Sequence, residues 1–405
     1  MKFSKLSQLF LVSSIGLLVA TLLTACQLVT IDYLFVANSA GSGTSSDGQI
    51  QTYAVDSQSG ALRTAGAPVS SGGVNPVALA VSPTYNSLYV ANHTDGSVVH
   101  FEVAYTGQLT KKDSVSLGTS PVALAVNAAG TYLYVVSGTT TATLTEYALS
   151  TSTGAIGAIT AQQTLTLPAY PNDTLVPTGI TVLANNNAAY VTAYDQSAYN
   201  PGGTTTSNAN PGWLFGYVVG SGGSLTPTVA SPYKAGVKPS AVASDPTNRF
   251  VYVTDFASNQ LVGFGIQSGS ILSFLINGPF KTGNQPTSVA IDPRGKYMYV
   301  SNELDSSVSA YVIDLATGTP ASAVNATGSS GSSTDTQPVN LAIDPALGRF
   351  VYTANFLGNS ISGFQLDPNT GTIKATQSTP YPTGFQPTAL VMVPHGNHSL
   401  QSVTP

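Results

Sequence analysis

The 405-residue chain carries few side chains suited to chemistry, because charged residues make up only 8% of it. Glu303 is one of three glutamates, and it follows Asn302 at the end of a short aromatic and β-branched stretch. A carboxylate in this setting can act as a general base on a water molecule. The amide of Asn302 can both donate and accept hydrogen bonds. Glu303 is therefore the first catalytic candidate, with Asn302 as a ligand-binding neighbour.

Further candidates stand at the same point of similar stretches elsewhere in the chain. Asp255 is a second catalytic candidate. The other candidates for binding a ligand at this point are Asn92, His93, Asp195 and Asn355, and Lys238, which precedes the strand proline Pro239, is a further one. Asn and Asp also favour turns and left-handed backbone conformations, and a single loop histidine is commonly just solvated. A purely structural role therefore stays open for each of them.

The stretch that carries Glu303 is one copy of a repeated strand–turn–strand unit. Each unit opens with a proline, then alternates small and large residues, turns, and continues into an aromatic, β-branched strand. Seven such prolines occur at intervals of 45–62 residues: Pro76, Pro121, Pro177, Pro239, Pro286, Pro338 and Pro387. Repeats of this length built from short strands are typical of β-propellers. The sequence predicts an all-β, seven-bladed β-propeller of four-stranded blades, with the proline strand innermost.

The two ends of the repeat region are out of phase with each other. The chain enters at the second strand of a unit, near Ile31, and finishes with an extra proline strand that starts at Pro387. These two pieces complete one blade, so the C-terminal strand should join the first blade and close the ring, which removes exposed sheet edges. The propeller should span residues 31–394, followed by a polar C-terminal tail, residues 395–405.

Alternate loops of a four-stranded meander share a face, so the loops that carry the candidate residues should surround one mouth of the central channel. The turns with Arg249, Arg294 and Arg349 should lie on the opposite face. A long insertion, residues 194–213, also belongs to the mouth face. Long loops often cover functional sites, although a loop without a function fits this sequence equally well.

The N-terminus has the pattern of an export signal. Lys2 and Lys5 precede an apolar run from Leu9 to Leu23, and Cys26 follows. The run Leu23-Thr24-Ala25-Cys26 resembles a bacterial lipobox. We expect a lipoprotein signal peptide over residues 1–25 and a short tether over residues 26–30. The protein would then be exported and anchored in the cell envelope by lipid on Cys26, in the outer membrane because Gln27 follows the cysteine. An uncleaved anchor or an ordinary signal peptide are the alternatives.

The amino-acid composition limits the classes of binding partner that we expect. A net charge of −5 gives no basic surface for a nucleic acid. Cys26 is the only cysteine and there are four histidines, so we expect no disulfide within the chain, no metal site and no cofactor. The expected partners are a small lactone or sugar, or a component of the cell envelope. Contact with the membrane should be through the lipid only, and the protein should be a monomer.

The repeats resemble those of the seven-bladed propeller lactonases, which include bacterial 6-phosphogluconolactonase, and also YVTN-type surface repeats. The resemblance is most specific in Tyr299–Val308, which is similar to the run around that family's catalytic glutamate, and in Phe250–Phe256. It implies that Glu303 is the active-site glutamate. However, Thr287 and Ser288 replace the family's Arg and His, and Ser240 replaces another His. Lys238 is then the nearest cation in sequence.

Two functions follow from these observations. The favoured one is an exported, lipid-anchored propeller that binds a ligand or partner at the channel mouth, because the family's basic residues are missing. The alternative is a lactone hydrolase that uses Glu303 as its general base, because the run around the glutamate is retained.

Replacing Cys26 with Ser tests the anchor. If the lipobox reading holds, the variant should leave the membrane fraction or remain unprocessed, because the serine cannot take the lipid. Membrane fractionation and the intact mass of the mature chain measure this. An unchanged fraction together with an unchanged mass would contradict the expectation.

Overall fold

The computed structural model describes residues 29–39, 47–139, 141–199, 211–324 and 331–403. The predicted signal peptide, Cys26 and part of the 194–213 insertion lie outside the described residues. Within them, seven antiparallel sheets form a ring. No helix in these ranges is long and apolar enough to span a membrane.

The first three blades take up the N-terminal part of the described chain. The strands of blade 1 in this part are β1 (Thr30–Asn38), β2 (Gln49–Asp56), β3 (Leu62–Thr64) and β4 (Val69–Ser70). Blade 2 contains β5 (Pro76–Val81), β6 (Ser87–Asn92), β7 (Ser97–Val103) and β8 (Leu109–Ser116). Blade 3 contains β9 (Pro121–Val126), β10 (Tyr132–Ser137), β11 (Thr143–Leu149) and β12 (Ile156–Thr164).

The next two blades each end in a pair of short outer strands. Blade 4 contains β13 (Leu175–Val182), β14 (Ala188–Asp195), β15 (Gly212–Val219), β16 (Leu225–Pro227) and β17 (Tyr233–Lys234). Blade 5 contains β18 (Pro239–Ser244), β19 (Phe250–Asp255), β20 (Gln260–Ile266), β21 (Leu272–Phe274) and β22 (Phe280–Lys281).

The last two blades lead to the closing strand. Blade 6 contains β23 (Pro286–Ile291), β24 (Tyr297–Asn302), β25 (Ser307–Ile313), β26 (Pro320–Ser322) and β27 (Gly331–Ser333). Blade 7 contains β28 (Pro338–Ile343), β29 (Phe350–Asn355), β30 (Ser360–Leu366), β31 (Ile373–Ala375) and β32 (Tyr381–Pro382), and β33 (Pro387–Pro394) follows. Three short 3-10 helices occupy Ser221–Gly223, Ser268–Ser270 and Gly396–Leu400.

The closure predicted from the sequence is confirmed. Strand β33 pairs antiparallel with β1, with Leu390 opposite Val36, and so becomes the inner strand of blade 1. In each blade the proline strand lines the central channel, and the aromatic strand lies directly outside it. The all-β, seven-bladed prediction therefore holds for the described chain.

The polar segment after β33 packs against the ring. Residues Gly396–Leu400 form a 3-10 helix, and His398 is only 5% exposed. The backbone amide of His395 donates to the carbonyl of Ile31. The segment lies against the ring because His398 finds buried acidic partners there.

A tyrosine hydroxyl joins most blades to the next one. The tyrosine in the middle of the aromatic strand is buried, and its hydroxyl donates to a backbone carbonyl in an outer turn of the following blade. The bonds are Tyr89 to Gly154, Tyr190 to Ser270, Tyr252 to Gly318, Tyr299 to Gly371 and Tyr352 to Gly60, at 2.6–2.8 Å. The hydrophobic core lies on both sides of these bonds, between neighbouring sheets, rather than at one centre.

The accepting turn requires glycine at Gly318. Its φ is +74°, and a Cβ there would lie 2.4 Å from the Phe250 ring of the preceding blade. A positive φ is unfavourable for other residues, and the close contact leaves no room for a side chain. The aromatic ring of one blade and the glycine in the turn of the next blade therefore have to occur together.

Replacing Tyr252 with Phe should remove one such bond and leave the ring otherwise intact. The buried carbonyl of Gly318 would lose its donor, so the free energy of unfolding should fall by about 1–2 kcal/mol. Denaturant unfolding measures this. Tyr105→Phe is the matched control, because Tyr105 is 74% exposed. Equal stability of the two variants would show that the tyrosine bond contributes nothing.

Candidate functional site

The loops at the channel mouth share one backbone hydrogen bond. In six blades, the residue after the aromatic strand donates its backbone N–H to the carbonyl of the residue just before the inner-strand proline. Examples are Glu303 to Gln285 and Phe256 to Lys238, both at 2.9 Å. These paired positions, not the last residues of the strands, line the mouth.

The predicted ligand-binding asparagines lie one residue deeper. Asn302 is fully buried, accepts from the backbone of Gly283 and donates to Ser307 and Ser309. Asn92 and Asn355 are also fully buried. The amide of Asn92 donates to the carbonyl of Ser71, in the segment that leads from blade 1 to blade 2, and to Ser97, and that of Asn355 donates to Ser360 and Ser362. The structure gives all three a role in supporting the mouth loops.

Asp255 supports the loop that carries Lys238. Its two carboxylate oxygens accept hydrogen bonds from the backbone amides of Val237 and Lys238, both at 2.9 Å, and one also accepts from Gln260 at 2.9 Å. Asp255 is fully buried. With its oxygens committed in this way, it is placed to position Lys238 rather than to act as a base.

Asp195 and His93 lie on other parts of the rim. Asp195 accepts from the backbone amides of Ser197 and Ala198 at the start of the insertion. A hydrogen bond with the side chain of Asp195 raises the pKa of Asp173, and burial adds to the shift. The Nδ1 of His93 lies 2.9 Å from the carbonyl of Pro121 and so donates to it. His93 belongs to blade 2 and Glu303 to blade 6, so the fold does not bring these two candidates together.

Glu303 is partly exposed at the mouth. Its Oε1 accepts a hydrogen bond of 2.5 Å from the side chain of Gln337 on blade 7. Its Oε2 has no hydrogen-bond partner among the residues that the structure describes. One oxygen is therefore fixed in direction while the other remains free to take a proton from a water molecule.

Lys238 on blade 5 faces the same part of the mouth. Its ammonium group lies 4.5 Å from the ring centre of Phe256, 5.3 Å from Tyr199 and 5.6 Å from Tyr194. Aromatic faces attract a cation at these distances. Partial burial lowers the pKa of Lys238, and the charge of Glu303 opposes that shift. Glu303 and Lys238 are sequence-predicted residues of opposite charge on adjacent blades, near enough for the charge of Glu303 to act on Lys238 without a salt bridge between them.

The positions where the resemblance implied basic residues are used to join blades. The hydroxyl of Ser240 donates to the carbonyl of Pro286 at 2.6 Å, and that of Thr287 donates to the carbonyl of Pro338 at 2.9 Å. Ser288 is buried. The channel wall below Glu303 is therefore uncharged, and Lys238 is the cation at this part of the mouth.

Sequence reasoning missed Gln337 and the aromatic residues around Lys238. Gln337 and Gln285 have φ of +62° and +54°, and each precedes the proline of an inner strand. A polar residue at that place in several repeats was the available signal. The contact of Tyr194 and Tyr199 with Lys238 joins blade 4 to blade 5, and no local pattern carries that information.

The fold and this mouth define a seven-bladed propeller with a carboxylate–ammonium pair at one end of its channel. The family model described as lactonase, seven-bladed beta-propeller, matches residues 25–116, 74–171 and 226–398. The chain therefore belongs to the seven-bladed β-propeller lactonase family. No curated protein sequence matches the chain.

Solved structures of similar fold agree with this assignment. A 6-phosphogluconolactonase candidate from Bacteroides uniformis is 16% identical, with a TM-score of 0.71, over 90% of this chain and 100% of that one. The periplasmic gluconolactonase of Pseudomonas aeruginosa is 20% identical, with a TM-score of 0.69, over 90% of this chain and 99% of that one. At these identities the likeness concerns the fold.

The electrostatic coupling of the pair can be measured directly. The pKa of Lys238 should lie below that of an exposed lysine such as Lys234, because desolvation disfavours the ammonium form. Glu303→Gln should lower the pKa of Lys238 further, because the opposing charge is lost. NMR titration of ¹³C-methylated lysines measures both. An unchanged Lys238 pKa in the variant would contradict the coupling, and the Lys234 signal serves as the internal control.

Proposed function

We propose that this chain hydrolyses a lactone at the channel mouth, with Glu303 as general base and Lys238 as the cation that stabilises the oxyanion. The observation that carries the proposal is the placement, on adjacent blades of the mouth, of a carboxylate with one oxygen unpartnered among the described residues and a half-buried ammonium group on which its charge acts. Membership of the lactonase family supports the same conclusion.

The reaction follows from the position of these groups. Oε2 of Glu303 takes a proton from a water molecule as its oxygen attacks the lactone carbonyl carbon. The negative charge that develops on the carbonyl oxygen is stabilised by Lys238, whose low-dielectric aromatic surroundings strengthen the interaction. The ring C–O bond then breaks, and the leaving oxygen takes the proton from Glu303. The product is a hydroxy acid, whose carboxylate can pair with Lys238.

The few charged groups at the mouth favour a substrate without a phosphate. A phosphate needs cations or several amide donors, but Ser240 and Thr287 are hydrogen-bonded to the next blade. The aromatic faces of Phe256, Tyr194 and Tyr199 suit the apolar face of a sugar ring. A sugar lactone without phosphate fits these features, and the gluconolactonase title of the Pseudomonas aeruginosa neighbour supports it.

The proposed place of action is outside the cytoplasm, on a lipid anchor at Cys26. The basic and apolar N-terminus and its lipobox-like run support this part of the proposal. A neighbour described as periplasmic is consistent with it.

Binding without turnover is the second candidate function. The observation that favours it is that the hydroxyls of Ser240 and Thr287, where the resemblance implied basic residues, are committed to the channel wall. In that case Glu303 and Lys238 would recognise a hydroxylated ligand or an envelope partner without activating water.

Glu303→Gln separates the two functions. The change keeps the shape and the bond partner of the side chain but removes its basic oxygen, so lactone turnover should fall by about 10²-fold or more with little change in melting temperature. Hydrolysis of glucono-δ-lactone and of its 6-phosphate, followed by acid release, measures this above the spontaneous rate.

The matched control is Glu102→Gln, the same substitution at an exposed glutamate paired with Lys112 on blade 2. It should leave turnover unchanged. Equal turnover of the Glu303 variant and the wild type would refute the catalytic role. If neither form turns over either lactone while the affinity for gluconate falls in the Glu303 variant, the binding function replaces the enzymatic one.

A further inference from the structure

A buried cluster lies on the face opposite the mouth, where the ring closes. It consists of Asp32 on β1 of blade 1, Asp344 at the end of β28 of blade 7, and His398 in the C-terminal 3-10 helix. Asp32 and Asp344 are 0% exposed, and His398 is 5% exposed. We refer to these three residues as the closure cluster.

The spacing of the closure cluster fits a metal ion. Nε2 of His398 lies 3.0 Å from Oδ1 of Asp344 and 3.5 Å from Oδ1 of Asp32, and all three ligand atoms lie within 4.8 Å of one another. Ligands that bind a zinc-sized ion at about 2.0–2.2 Å are separated by about 3.0–3.5 Å along the edges of its coordination polyhedron. Two of the three separations already have this length.

Asp32 carries the second observation. Both of its carboxylate oxygens are buried, and neither has a hydrogen-bond partner among the described residues. Leaving a buried carboxylate unpartnered is costly. The equivalent positions in blades 5, 6 and 7 are basic, namely Arg249, Lys296 and Arg349. Among the described residues Asp32 has no hydrogen-bond partner and only the His398 ring, at 3.5 Å, as an ion-pair contact, so both of its oxygens are available to a cation.

The surroundings orient the histidine for this role. Nδ1 of His398 lies 2.8 Å from the side-chain oxygen of Gln401, which can only accept, so Nδ1 carries a proton. Nε2 donates its proton to Asp344 at 3.0 Å, and once that proton is released the Nε2 lone pair points to the two carboxylates. A partner that fixes the other ring nitrogen is the usual second layer of a metal-binding histidine. Asp344 is held in place by the backbone amides of Ala346 and Arg349.

We propose that the closure cluster binds one divalent transition-metal cation, of the class of Zn²⁺, through Asp32, Asp344 and Nε2 of His398. Two carboxylates and a neutral imidazole balance the charge of the ion. Any proton that His398 holds on Nε2 is released when the ion binds. The ion joins the first blade, the last blade and the C-terminal segment, and so it stabilises ring closure without taking part at the mouth.

This site could not be read from the sequence. The chain has only four histidines and one cysteine, which led to the expectation of no metal, and the residues after 394 read as a polar tail. Only ring closure places Asp32 beside Asp344, more than three hundred positions later in the chain.

The test is a titration of the chelator-treated full chain with Zn²⁺ by calorimetry, together with a Co²⁺ titration followed by visible absorption. We expect one ion per chain, a higher melting temperature with Zn²⁺, and a Co²⁺ spectrum of a low-coordinate nitrogen–oxygen site. Asp32→Asn should weaken Zn²⁺ binding by about 100-fold or more and abolish the rise in melting temperature.

His395→Gln is the control, because this neighbouring half-buried histidine contacts Tyr33 and Tyr105 and not the cluster. It should bind the ion as the wild type does. No binding by folded wild type at millimolar Zn²⁺ would overturn the proposal, as would equal affinity in Asp32→Asn. If that variant fails to fold, Asp344→Asn and the wild-type titration decide instead. Lactone turnover is not used as a readout, so the result does not depend on the proposed function.

Discussion

The hydrogen bond from a buried tyrosine to an outer turn of the next blade is the interaction on which the ring depends. Each sheet alone would expose a wide apolar face, and sheets at this angle can slide over one another because apolar contacts have no direction. The tyrosine fixes their relative position, since its hydroxyl must reach one particular carbonyl. The bond occurs at five of the seven blade interfaces of the described chain and gives those neighbouring blades a similar offset.

Hydrogen bonding to the backbone also decides which polar side chains at the mouth remain available. Polar side chains at the mouth hold backbone groups in place: Asp255 binds the loop before β18, and Asn302 binds the loop before β23. Polar residues at the mouth are therefore poor indicators of function by themselves. Function is indicated where a polar atom is left over, as at Oε2 of Glu303, or where a charge is held at some cost, as at Lys238.

The fold could be predicted from the sequence because the repeat is strict. The proline that begins each inner strand and the aromatic strand after it recur seven times, and the phase difference between the two ends predicts the closing strand. The site could be predicted only in part. Glu303 and Asn302 are adjacent in sequence, but the chain turns between them, so one reaches the mouth and the other is buried. Sequence spacing gives the loop but not the direction of each side chain. The neighbours of Lys238 and His398 come from other blades or from the chain end, and such contacts exist only once the ring has closed.

Ser240 and Thr287, which stand where the resemblance implied basic residues, also have a structural role. Both hydroxyls donate to a proline carbonyl of the following blade, and Thr388 forms the equivalent bond from blade 1 to Pro76. These bonds stiffen the narrow end of the ring, where a charged side chain would have to be solvated or paired. A single cation displaced to the rim, stabilised by aromatic faces and by Glu303, avoids that cost. Under the proposed function, charge recognition would lie at the mouth rather than on the channel wall, and a ligand with one polar centre would fit better than a multiply charged one.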